Sequence, residues 1–403
     1  MKILLVNENL IYRYQNRYYT ERTWPESATY IIEAAGEGTL FAPVADAPEE
    51  KCARLTPLVL RAGRIAPSPF FGGSLGELKG RVLGRSGFWS RAAAAIVSSH
   101  DVVLCRIPSP HLRYIAAACS EAPKPLMLMV SGPRVEGSIG VHRVPKVFRP
   151  MAAAYLRAQD REQKRIARDA TAVFTAGAAL AQEWSPFGRV LQWQDHYLPE
   201  GMYCWRPDTC LGSSISILRV CDLSEPRGIE LLLKAFRLLA ERHNSVRLDL
   251  VGGGDRPYVE GLKRLTRDLG VSNCVAFHGW CNRVAVQKLM RSADIHVITS
   301  LADGVPRSIA EGAANCVPLV TTGAGGIREA VKDGETAVIV NDSTPAAVAD
   351  GVTRVLADAT LRRRLIANAY NDALSYHAVR KSRALVSTIS ELLKECLGRG
   401  CVV

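Results

Sequence analysis

The fold is decided by DGVPRSIAEGAANCVPLVTTGAGGIRE, residues 303–329, which read as a loop, a helix, a strand, a glycine turn and a second helix. The apolar strand ADIHVIT, residues 293–299, comes directly before them. A strand–loop–helix unit is therefore repeated, with glycine at both turns. The repeat directs two helix N-termini, with their unpaired N–H groups and positive dipole ends, at one crevice. Such a crevice suits a diphosphate, and a carboxylate one turn into the first helix can reach the hydroxyls of a ribose.

The alternation of apolar strands and helices extends through the chain in two arrays. The C-terminal array starts at ISILRV, residues 215–220, and the N-terminal array at KILLV, residues 2–6. Residues 193–213 contain proline, glycine and aromatics without a period, so they are predicted to connect the arrays. Near-continuous apolar strands joined by helices indicate parallel sheets covered on both faces. The predicted fold class is α/β, with two doubly wound, Rossmann-like domains, 1–205 and 206–377, that face each other across a cleft.

Length and composition agree with two globular domains. The chain has 403 residues, of which 48% are apolar and 22% charged, too long for one typical core and too apolar for disorder. Four apolar residues follow Lys2, which predicts a strand rather than a signal sequence, and no apolar run approaches the roughly 18 residues of a membrane span. The 11 cysteines form no C-x-x-C pair and are expected to be reduced thiols in a cytoplasmic protein, without a zinc site.

The net charge of +12 fits nucleic acid, an anionic membrane, an anionic substrate or a generic basic surface. Residues 143–168 form a basic segment in which apolar and aromatic side chains separate the cations. Its cations are Arg143, Lys146, Arg149, Arg157, Arg161, Lys164, Arg165 and Arg168. One reading is a helix that rests on anionic lipid headgroups at the inner face of a membrane, near a lipid-linked acceptor. The other is a solvated helix face.

These motifs resemble family 4 glycosyltransferases, the retaining group of the GT-B fold also called glycosyl transferases group 1. The family places two acidic residues eight apart around a G-x-P core, followed by a strand and a G-G-x-x-E turn. The matching residues are Asp303, Gly304, Pro306, Glu311, Gly325, Gly326 and Glu329. The V-G-x-G loop of the family matches residues 251–254, and its F-x-G turn matches 277–279. The resemblance is specific over about 215–345 and weak over the first half of the chain.

The resemblance implies a glycosyltransferase of glycan or polysaccharide biosynthesis. Such an enzyme moves a sugar, with retention, from a nucleotide diphosphate sugar to a hydroxyl of a glycan, a lipid-linked glycan or a small metabolite. The N-terminal domain would bind the acceptor and the C-terminal domain the nucleotide sugar, and a helix at 378–403 would cross back to the first domain. No D-x-D pair occurs in the chain, so neither a metal nor another cofactor is expected. Nucleic acid is not an expected partner.

The resemblance also assigns roles to residues. Glu311 would accept hydrogen bonds from both ribose hydroxyls, and Arg227, at the K-G position of the family, would neutralise the leaving diphosphate. Backbone groups at the two glycine turns would bind sugar and phosphate. These turn residues are Gly304, Val305, Pro306, Arg307, Gly325 and Gly326. Gly253 and Arg256 are expected beside the nucleotide. The structural alternatives are a first-turn helix acid, ordinary turns and solvated cations.

Several positions depart from the family pattern. Asp303 replaces a glutamate as the sugar contact and has a shorter reach. Asp222 stands where the family has a phosphate-binding arginine and would repel a diphosphate at close range. The glycine pair expected after the first strand is missing. Family members approach the donor sugar with a histidine from a loop of the first domain; His142 is the candidate, although it matches no motif, and a surface histidine is the alternative. Asp303, Arg227 and His142 are thus the predicted catalytic residues.

The N-terminal domain offers further polar candidates where its strands end. They are Asn7, Glu8, Arg106, Ser109, Ser131, Gly132 and Arg134. Two other functions stay open at this point. The chain could be a nucleotide-sugar-binding subunit without transfer activity. Asp303, in place of the family's glutamate, and Asp222, in place of its phosphate-binding arginine, suggest this alternative. A dinucleotide-dependent dehydrogenase fits less well, because no G-x-G-x-x-G follows the first strand.

Overall fold

The chain divides into two compact units. The computed structural model describes residues 1–69, 82–130, 149–193, 196–243 and 245–398. Unit 1 consists of Met1–Asp195 together with the chain from Val379 onward, and unit 2 consists of His196–Ala378. The division at 195/196 falls inside the predicted connecting segment, 193–213, ahead of the predicted boundary at 205/206.

Unit 1 is built from short strands and helices in alternation. Its described strands are β1 (Lys2–Val6), β2 (Ile11–Tyr14), β3 (Arg17–Thr20), β4 (Glu37–Ala42), β5 (Val44–Asp46), β6 (Thr56–Leu58), β7 (Gly63–Pro67), β8 (Val102–Ile107), β9 (Leu126–Val130), β10 (Ala172–Thr175) and β11 (Val190–Gln192). Its described helices before unit 2 are α1 (Thr23–Ala35), α2 (Glu49–Cys52), α3 (Ser86–Val97), α4 (Leu112–Glu121), α5 (Arg149–Asp169) and α6 (Ala178–Trp184).

The main sheet of unit 1 is parallel, in the order β11-β10-β9-β8-β1-β4-β7. Strand β9 is buried at every residue, and β1 is buried from Ile3 onward. Apolar runs of this kind form strands that are covered on both faces. Strand β1 pairs with β4 on one side and with β8 on the other. The chain therefore reverses its direction across the sheet between β1 and β8.

A second sheet in unit 1 is missing from the sequence prediction. It has the order β5-β2-β3-β6, with β2 and β3 antiparallel. The turn between these strands consists of Gln15 and Asn16, whose φ values are 45° and 59°. A two-residue turn with positive φ at both positions matches the twist of a hairpin. The sequence YRY-QN-RYYT, residues 12–20, contains the signal of this hairpin. The signal was missed because tyrosines and arginines do not give a clear alternation of apolar and polar residues.

Unit 2 contains a second parallel sheet. Its described strands are β12 (Ile215–Val220), β13 (Val246–Val251), β14 (Val275–Gly279), β15 (Ile295–Ile298), β16 (Leu319–Thr321) and β17 (Val338–Ile339). Its described helices are α7 (Ile229–Arg242), α8 (Arg256–Asp268), α9 (Arg283–Ser292), α10 (Arg307–Ala314), α11 (Ile327–Ala330), α12 (Pro345–Ala357) and α13 (Ala359–Ala373). The strand order is β14-β13-β12-β15-β16-β17. Two doubly wound, Rossmann-like units are thus confirmed.

Both faces of the unit 2 sheet are covered. On one face, Phe236 of α7 and Val352 of α12 are fully buried in a core with Leu248 and Ile295 of the sheet. On the other face, Met290 of α9 packs with Leu218 and Val251. Each fully buried side chain of this size contributes about 1.5–3 kcal/mol through the hydrophobic effect. With both faces covered, the site is expected at the loops beyond the carboxyl ends of the strands.

The chain passes into and out of unit 2 at one place. Leu198 donates a backbone hydrogen bond to Tyr376 O and accepts one from Ala378 N, both at 2.8 Å. The chain then forms α14 (Ala378–Gly398), which packs with unit 1 from Val379 onward. Arg189 pairs with Glu395 of this helix at 2.5 Å.

A buried ion pair joins three segments of unit 2. Asp208 accepts two hydrogen bonds from Arg362, at 2.6 and 3.2 Å, and one from Arg363 at 2.9 Å. Asp208 and Arg362 are 8% and 5% exposed. Arg362 also donates to the carbonyl oxygens of Val355 and Leu356 in the last turn of α12. The pair therefore joins α12, α13 and the chain that leads into β12.

Two negative findings concern the described part of the chain. Every cysteine there is a free thiol. No helix there has the length and apolar character needed to cross a membrane.

Candidate functional site

The candidate site lies where the unit 2 sheet reverses direction. The chain leaves β12 towards β13 on one side, and β15 pairs with β12 on the other. Loops diverge at such a point and leave a crevice beyond the carboxyl ends of the strands. Asp303 and Arg227, predicted from distant parts of the sequence, are in contact there.

Glycines join the loops that build this crevice. Gly325 has a φ of 59°, and a Cβ there would lie 2.2 Å from Asp303 O. Gly326 donates its N–H to Asp303 O at 3.1 Å, and its Cβ would lie 3.0 Å from Gly304 O. The loop after β16 thus packs backbone to backbone on the loop after β15, which only glycine permits. The N–H of Gly326 is used in this packing.

The loop that leads into α10 and the first residue of this helix present backbone donors. Among the described residues, no acceptor is found for the N–H groups of Gly304, Val305 and Arg307. Pro306 is the N-cap of α10 and has no N–H to offer. Unpaired N–H groups at the positive end of a helix dipole favour an anion.

Asp303 is the counter-ion of Arg227. Its Oδ2 contacts Arg227 Nη1 and accepts a hydrogen bond of 3.0 Å from Ser300 Oγ. Burial lowers the pKa of Arg227, but the hydrogen bond and the charge of Asp303 outweigh burial and raise that pKa overall. Arg227 keeps 30% exposure of its side chain, against 9% for Asp303. The cation is therefore held at the surface by a carboxylate beneath it.

Arg219 is a second cation that sequence reasoning missed. It is fully buried near the end of β12, and its Nη2 donates to Ser300 Oγ at 2.9 Å and to Arg227 O at 3.4 Å. Its Nε and Nη1 have no hydrogen-bond partner among the described residues. Burial and the charge of Arg219 lower the pKa of His296 to about 3, so this histidine is neutral at pH 7. The signal in the sequence was a lone charge inside the apolar strand ISILRV.

Glu311 is held in place from its own helix. Arg307 Nε donates to Glu311 Oε1 at 2.8 Å, and Arg307 Nη2 donates to Tyr197 O at 2.6 Å. Glu311 is 8% exposed, and within the described chain its Oε2 accepts no hydrogen bond. The guanidinium of Arg307 thus orients the carboxylate and is not free to bind a phosphate.

The glycine-rich loop after β13 packs against the end of β12. Gly252 has a φ of 138°, and a Cβ there would lie 1.7 Å from Cys221 O. Leu223 donates its N–H to Gly253 O at 2.7 Å. Because both contacts involve backbone, glycine at 252 is required by the close approach of two loops.

Three exposed side chains surround this loop. Trp280 follows the F-x-G turn and is 48% exposed. A Cβ added at Gly253 would lie 3.8 Å from the Cβ of Trp280. Arg256 is exposed at the first residue of α8, and Asp222 is exposed after β12. The sequence analysis did not single out Trp280, because one aromatic residue after a glycine carries no pattern.

The candidates of unit 1 fall into two groups. Ser109 donates a short hydrogen bond to Glu8, and Arg106 lies over the ring of Trp24 at 5.6 Å. His142 lies outside the described residues, as do Ser131, Gly132 and Arg134.

The chemistry of the unit 2 crevice suits an anion attached to a hydroxylated group. Arg227 and Arg219 supply positive charge, the first turn of α10 supplies N–H donors, and Glu311 supplies an oriented acceptor. Across the described residues, no three His, Cys, Asp or Glu side chains come together in a way that could hold a metal ion.

The second half of the chain is similar to a known family of proteins. Residues 213–372 match the model of glycosyl transferases group 1. An uncharacterised glycosyltransferase of Methanocaldococcus jannaschii is 33% identical over 184 residues, which cover 45% of this chain and 46% of that protein. A D-inositol 3-phosphate glycosyltransferase of Thermomonospora curvata is 32% identical over 162 residues, 38% and 37% of the two chains. The matches thus span less than half the length of these curated relatives.

A longer match and two solved structures extend the comparison. A GDP-mannose-dependent phosphatidylinositol monomannoside mannosyltransferase of Mycobacterium tuberculosis is 26% identical over 59% of this chain and 66% of its own. The structure of Anabaena HepE with UDP has a TM-score of 0.70 at 18% identity, covering 97% of this chain and all of HepE. The glycosyltransferase WaaG has a TM-score of 0.66 at 12% identity, covering 96% and 99%. The structural matches confirm the predicted GT-B fold.

Proposed function

We propose that this chain transfers a sugar from a nucleotide diphosphate sugar to a hydroxyl acceptor, since residues 213–372 match the model of glycosyl transferases group 1. The observation that carries the proposal is the crevice of unit 2. Unpaired N–H groups at the start of α10, the cation Arg227 and the oriented carboxylate Glu311 converge there. A diphosphate fits the first two, and a ribose fits the third.

The relatives support a nucleoside diphosphate sugar as the donor. HepE has been solved with UDP and glucose, and the mycobacterial mannosyltransferase is GDP-mannose-dependent. In this chain, Gly253 and Arg256 would border the nucleotide and Trp280 offers a ring for the base.

The proposed mechanism is electrostatic. The bond between the sugar and the diphosphate breaks as negative charge develops on the leaving phosphate. In this proposal Arg227 and the N–H groups at the start of α10 stabilise that charge, while Asp303, beneath Arg227, contacts the sugar. We propose retention, same-face attack and independence of metal on the family resemblance. The mechanism thus differs from that of a retaining glycosidase, which uses two carboxylates about 5 Å apart.

A ligand screen followed by an activity assay tests the proposal. Thermal unfolding is measured with UDP, GDP, ADP and their sugar conjugates; a ligand at 100 times its Kd stabilises the native state by about 2.7 kcal/mol. The stabilising sugar nucleotide is then assayed with the purified protein for hydrolysis and transfer. Binding with neither reaction would identify a nucleotide-sugar-binding subunit, and no stabilisation by any nucleotide would reject both functions.

We expect Arg227→Ala to weaken nucleoside diphosphate binding by about 10- to 100-fold, because a charge-assisted hydrogen bond of roughly 1.5–3 kcal/mol is lost. Arg227→Lys should lose less affinity, since lysine keeps the positive charge but cannot form two parallel hydrogen bonds to a phosphate. Calorimetry with UDP or GDP measures the change. Arg237→Ala, on the exposed face of α7, is the control and should leave Kd unchanged. An unaltered Kd in Arg227→Ala would reject its role.

We also propose that α5 contacts an anionic membrane surface. Four exposed arginines of this helix, Arg157, Arg161, Arg165 and Arg168, recur every three or four residues and so share one face. None of them forms an ion pair with a described residue, whereas Lys164 pairs with Asp160 at 2.9 Å and Glu183 at 2.7 Å. Uncompensated charge on one face is the part of the basic segment that a lipid surface can use.

Flotation with vesicles measures this contact. The protein should float with vesicles that contain phosphatidylglycerol, but not with phosphatidylcholine alone, and salt should reduce flotation. Replacing Arg157, Arg161 and Arg165 by Gln should lower binding at least about tenfold, at roughly 1 kcal/mol per charge. Removing the exposed Arg264, Arg267 and Arg354 of unit 2 changes the net charge equally and should have little effect. Equal loss in both triple variants would assign binding to general charge.

A further inference from the structure

The sheet of unit 1 has its own reversal point, between β1 and β8. Beyond β1 the chain builds outward to β4 and β7, and it returns at β8 on the other side of β1. The carboxyl ends of two such strands leave a crevice in which ligands bind. In unit 2 the corresponding point holds the proposed donor site. In unit 1 it holds a polar cluster to which no role has yet been given.

Glu8 is the centre of this cluster. It follows β1, and its Oε1 accepts a short hydrogen bond from Ser109 Oγ. The same oxygen accepts from His111, through Nδ1 at 3.1 Å and through the backbone N at 3.4 Å. Ser109 and His111 follow β8, so donors from one strand end fix a carboxylate from the other.

The donors are themselves immobilised. Gln163 of α5 is 4% exposed and donates to Ser109 O at 2.7 Å. His111 is fully buried and meets the ring of Trp89 edge to face, with 4.8 Å between centroids. A carboxylate held by a packed second layer is preorganised, because its rotamer is set before any ligand arrives.

One oxygen of this carboxylate is left for another partner. Glu8 Oε2 accepts no hydrogen bond from a described residue, and the side chain keeps 15% exposure. The neighbouring Asn7 is 3% exposed; its Oδ1 accepts from Asn9 N at 3.2 Å, but its Nδ2 has no partner in the described chain. An unpaired buried polar group costs about 1–3 kcal/mol. Glu8 thus offers an acceptor and Asn7 a donor, and a hydroxyl can satisfy either one, because it both donates and accepts.

We propose that Glu8, anchored by Ser109 and His111, and the neighbouring Asn7 bind hydroxyls of a polyhydroxylated ligand, with Glu8 Oε2 accepting from one of them. The inference rests on the proposed function, in which the ligand is the acceptor of the sugar. Glu8 then orients the acceptor, and no proton is transferred to it. A sugar or cyclic polyol fits this chemistry, because only such ligands present several hydroxyls to one fixed carboxylate.

Glu8→Gln tests the site with minimal disturbance. The three donors keep an amide oxygen in the place of Oε1, so the free Oε2 is replaced by an NH₂ group that cannot accept. With methyl α-D-glucopyranoside and myo-inositol as probe acceptors, kcat/KM should fall by about 10- to 100-fold, the loss of one charge-assisted hydrogen bond. The Kd of the nucleoside diphosphate and the rate of donor hydrolysis should not change. Glu121→Gln, at the exposed end of α4, is the control.

A binding measurement separates this inference from the proposed function. Saturation-transfer NMR with the same two probes, without nucleotide, should give a signal that Glu8→Gln loses and that Glu311→Gln retains. This result would stand even if the protein had no transferase activity. An equal signal in wild type and Glu8→Gln, or no signal in wild type, would overturn the site. So would a matching loss of nucleoside diphosphate affinity, because the carboxylate would then serve the donor. Ser109→Ala, which loosens the anchor without touching the free oxygen, should show a smaller loss than Glu8→Gln.

Discussion

Glu311→Ala is expected to lower kcat/KM for sugar transfer by about 100- to 10,000-fold. Two charge-assisted hydrogen bonds to the ribose are lost, at roughly 1.5–3 kcal/mol each. Arg307, which donates to Glu311 at 2.8 Å in the structure, also loses its partner, so Glu311→Gln is the milder companion and should fall between wild type and Ala. The exposed Glu335→Ala in the same unit should behave as wild type.

Deoxynucleotides make this test specific for the ribose. Wild type should bind a 2′-deoxy nucleoside diphosphate more weakly than the ribonucleotide, whereas Glu311→Ala should bind both alike. The substitution of Glu311 and the removal of the 2′-hydroxyl delete the same hydrogen bond, so their effects on the binding free energy should not add. If the variant still discriminates against the deoxynucleotide as strongly as wild type, Glu311 supports the helix and another residue reads the ribose.

The second large effect concerns stability. Asp208→Ala should lower the free energy of unfolding by about 3–5 kcal/mol, because Arg362 would remain buried without its counter-charge. Asp350→Ala is a matched control. Asp350 pairs with Arg242 at 2.6 Å, but their side chains are 66% and 41% exposed, and exposed pairs contribute about 0–1 kcal/mol. Chemical denaturation of both variants measures the difference, and equal losses would contradict the distinction.

The effect of Asp208 should depend on pH. Burial raises the pKa of Asp208, but hydrogen bonds from Arg362, Arg363 and the N–H of Thr209 outweigh burial and lower the pKa below its ordinary value of 3.8. A group with a lowered pKa stabilises the fold above the unfolded-state pKa, and this stabilisation is lost as pH falls through the folded-state pKa. The gap between wild type and Asp208→Ala should therefore be full at pH 7 and shrink below about pH 4. A gap that widens in acid would show that other groups dominate.

The sequence predicted the two parallel sheets well because their strands are apolar runs that burial explains directly. It also placed Asp303 and Glu311, since both lie on a strand–loop–helix unit with a local pattern. It could not show that each of these carboxylates is paired with an arginine. The pairing of Asp303 with Arg227 depends on two loops that meet only after the sheet has formed. Arg219 escaped notice for the same reason: its burial follows from neighbours on β15, far away in the sequence.

The crossing at Leu198 has a consequence for how this protein could be taken apart. Because the chain enters and leaves unit 2 through backbone hydrogen bonds between Leu198 and residues 376–378, the two ends of this unit lie side by side. A segment whose two ends are adjacent can be removed, circularised or replaced by another domain without a change in the distance that the flanking chain must span. Residues 196–378 are therefore a natural fragment for grafting, in which one continuous piece of gene carries the proposed donor site.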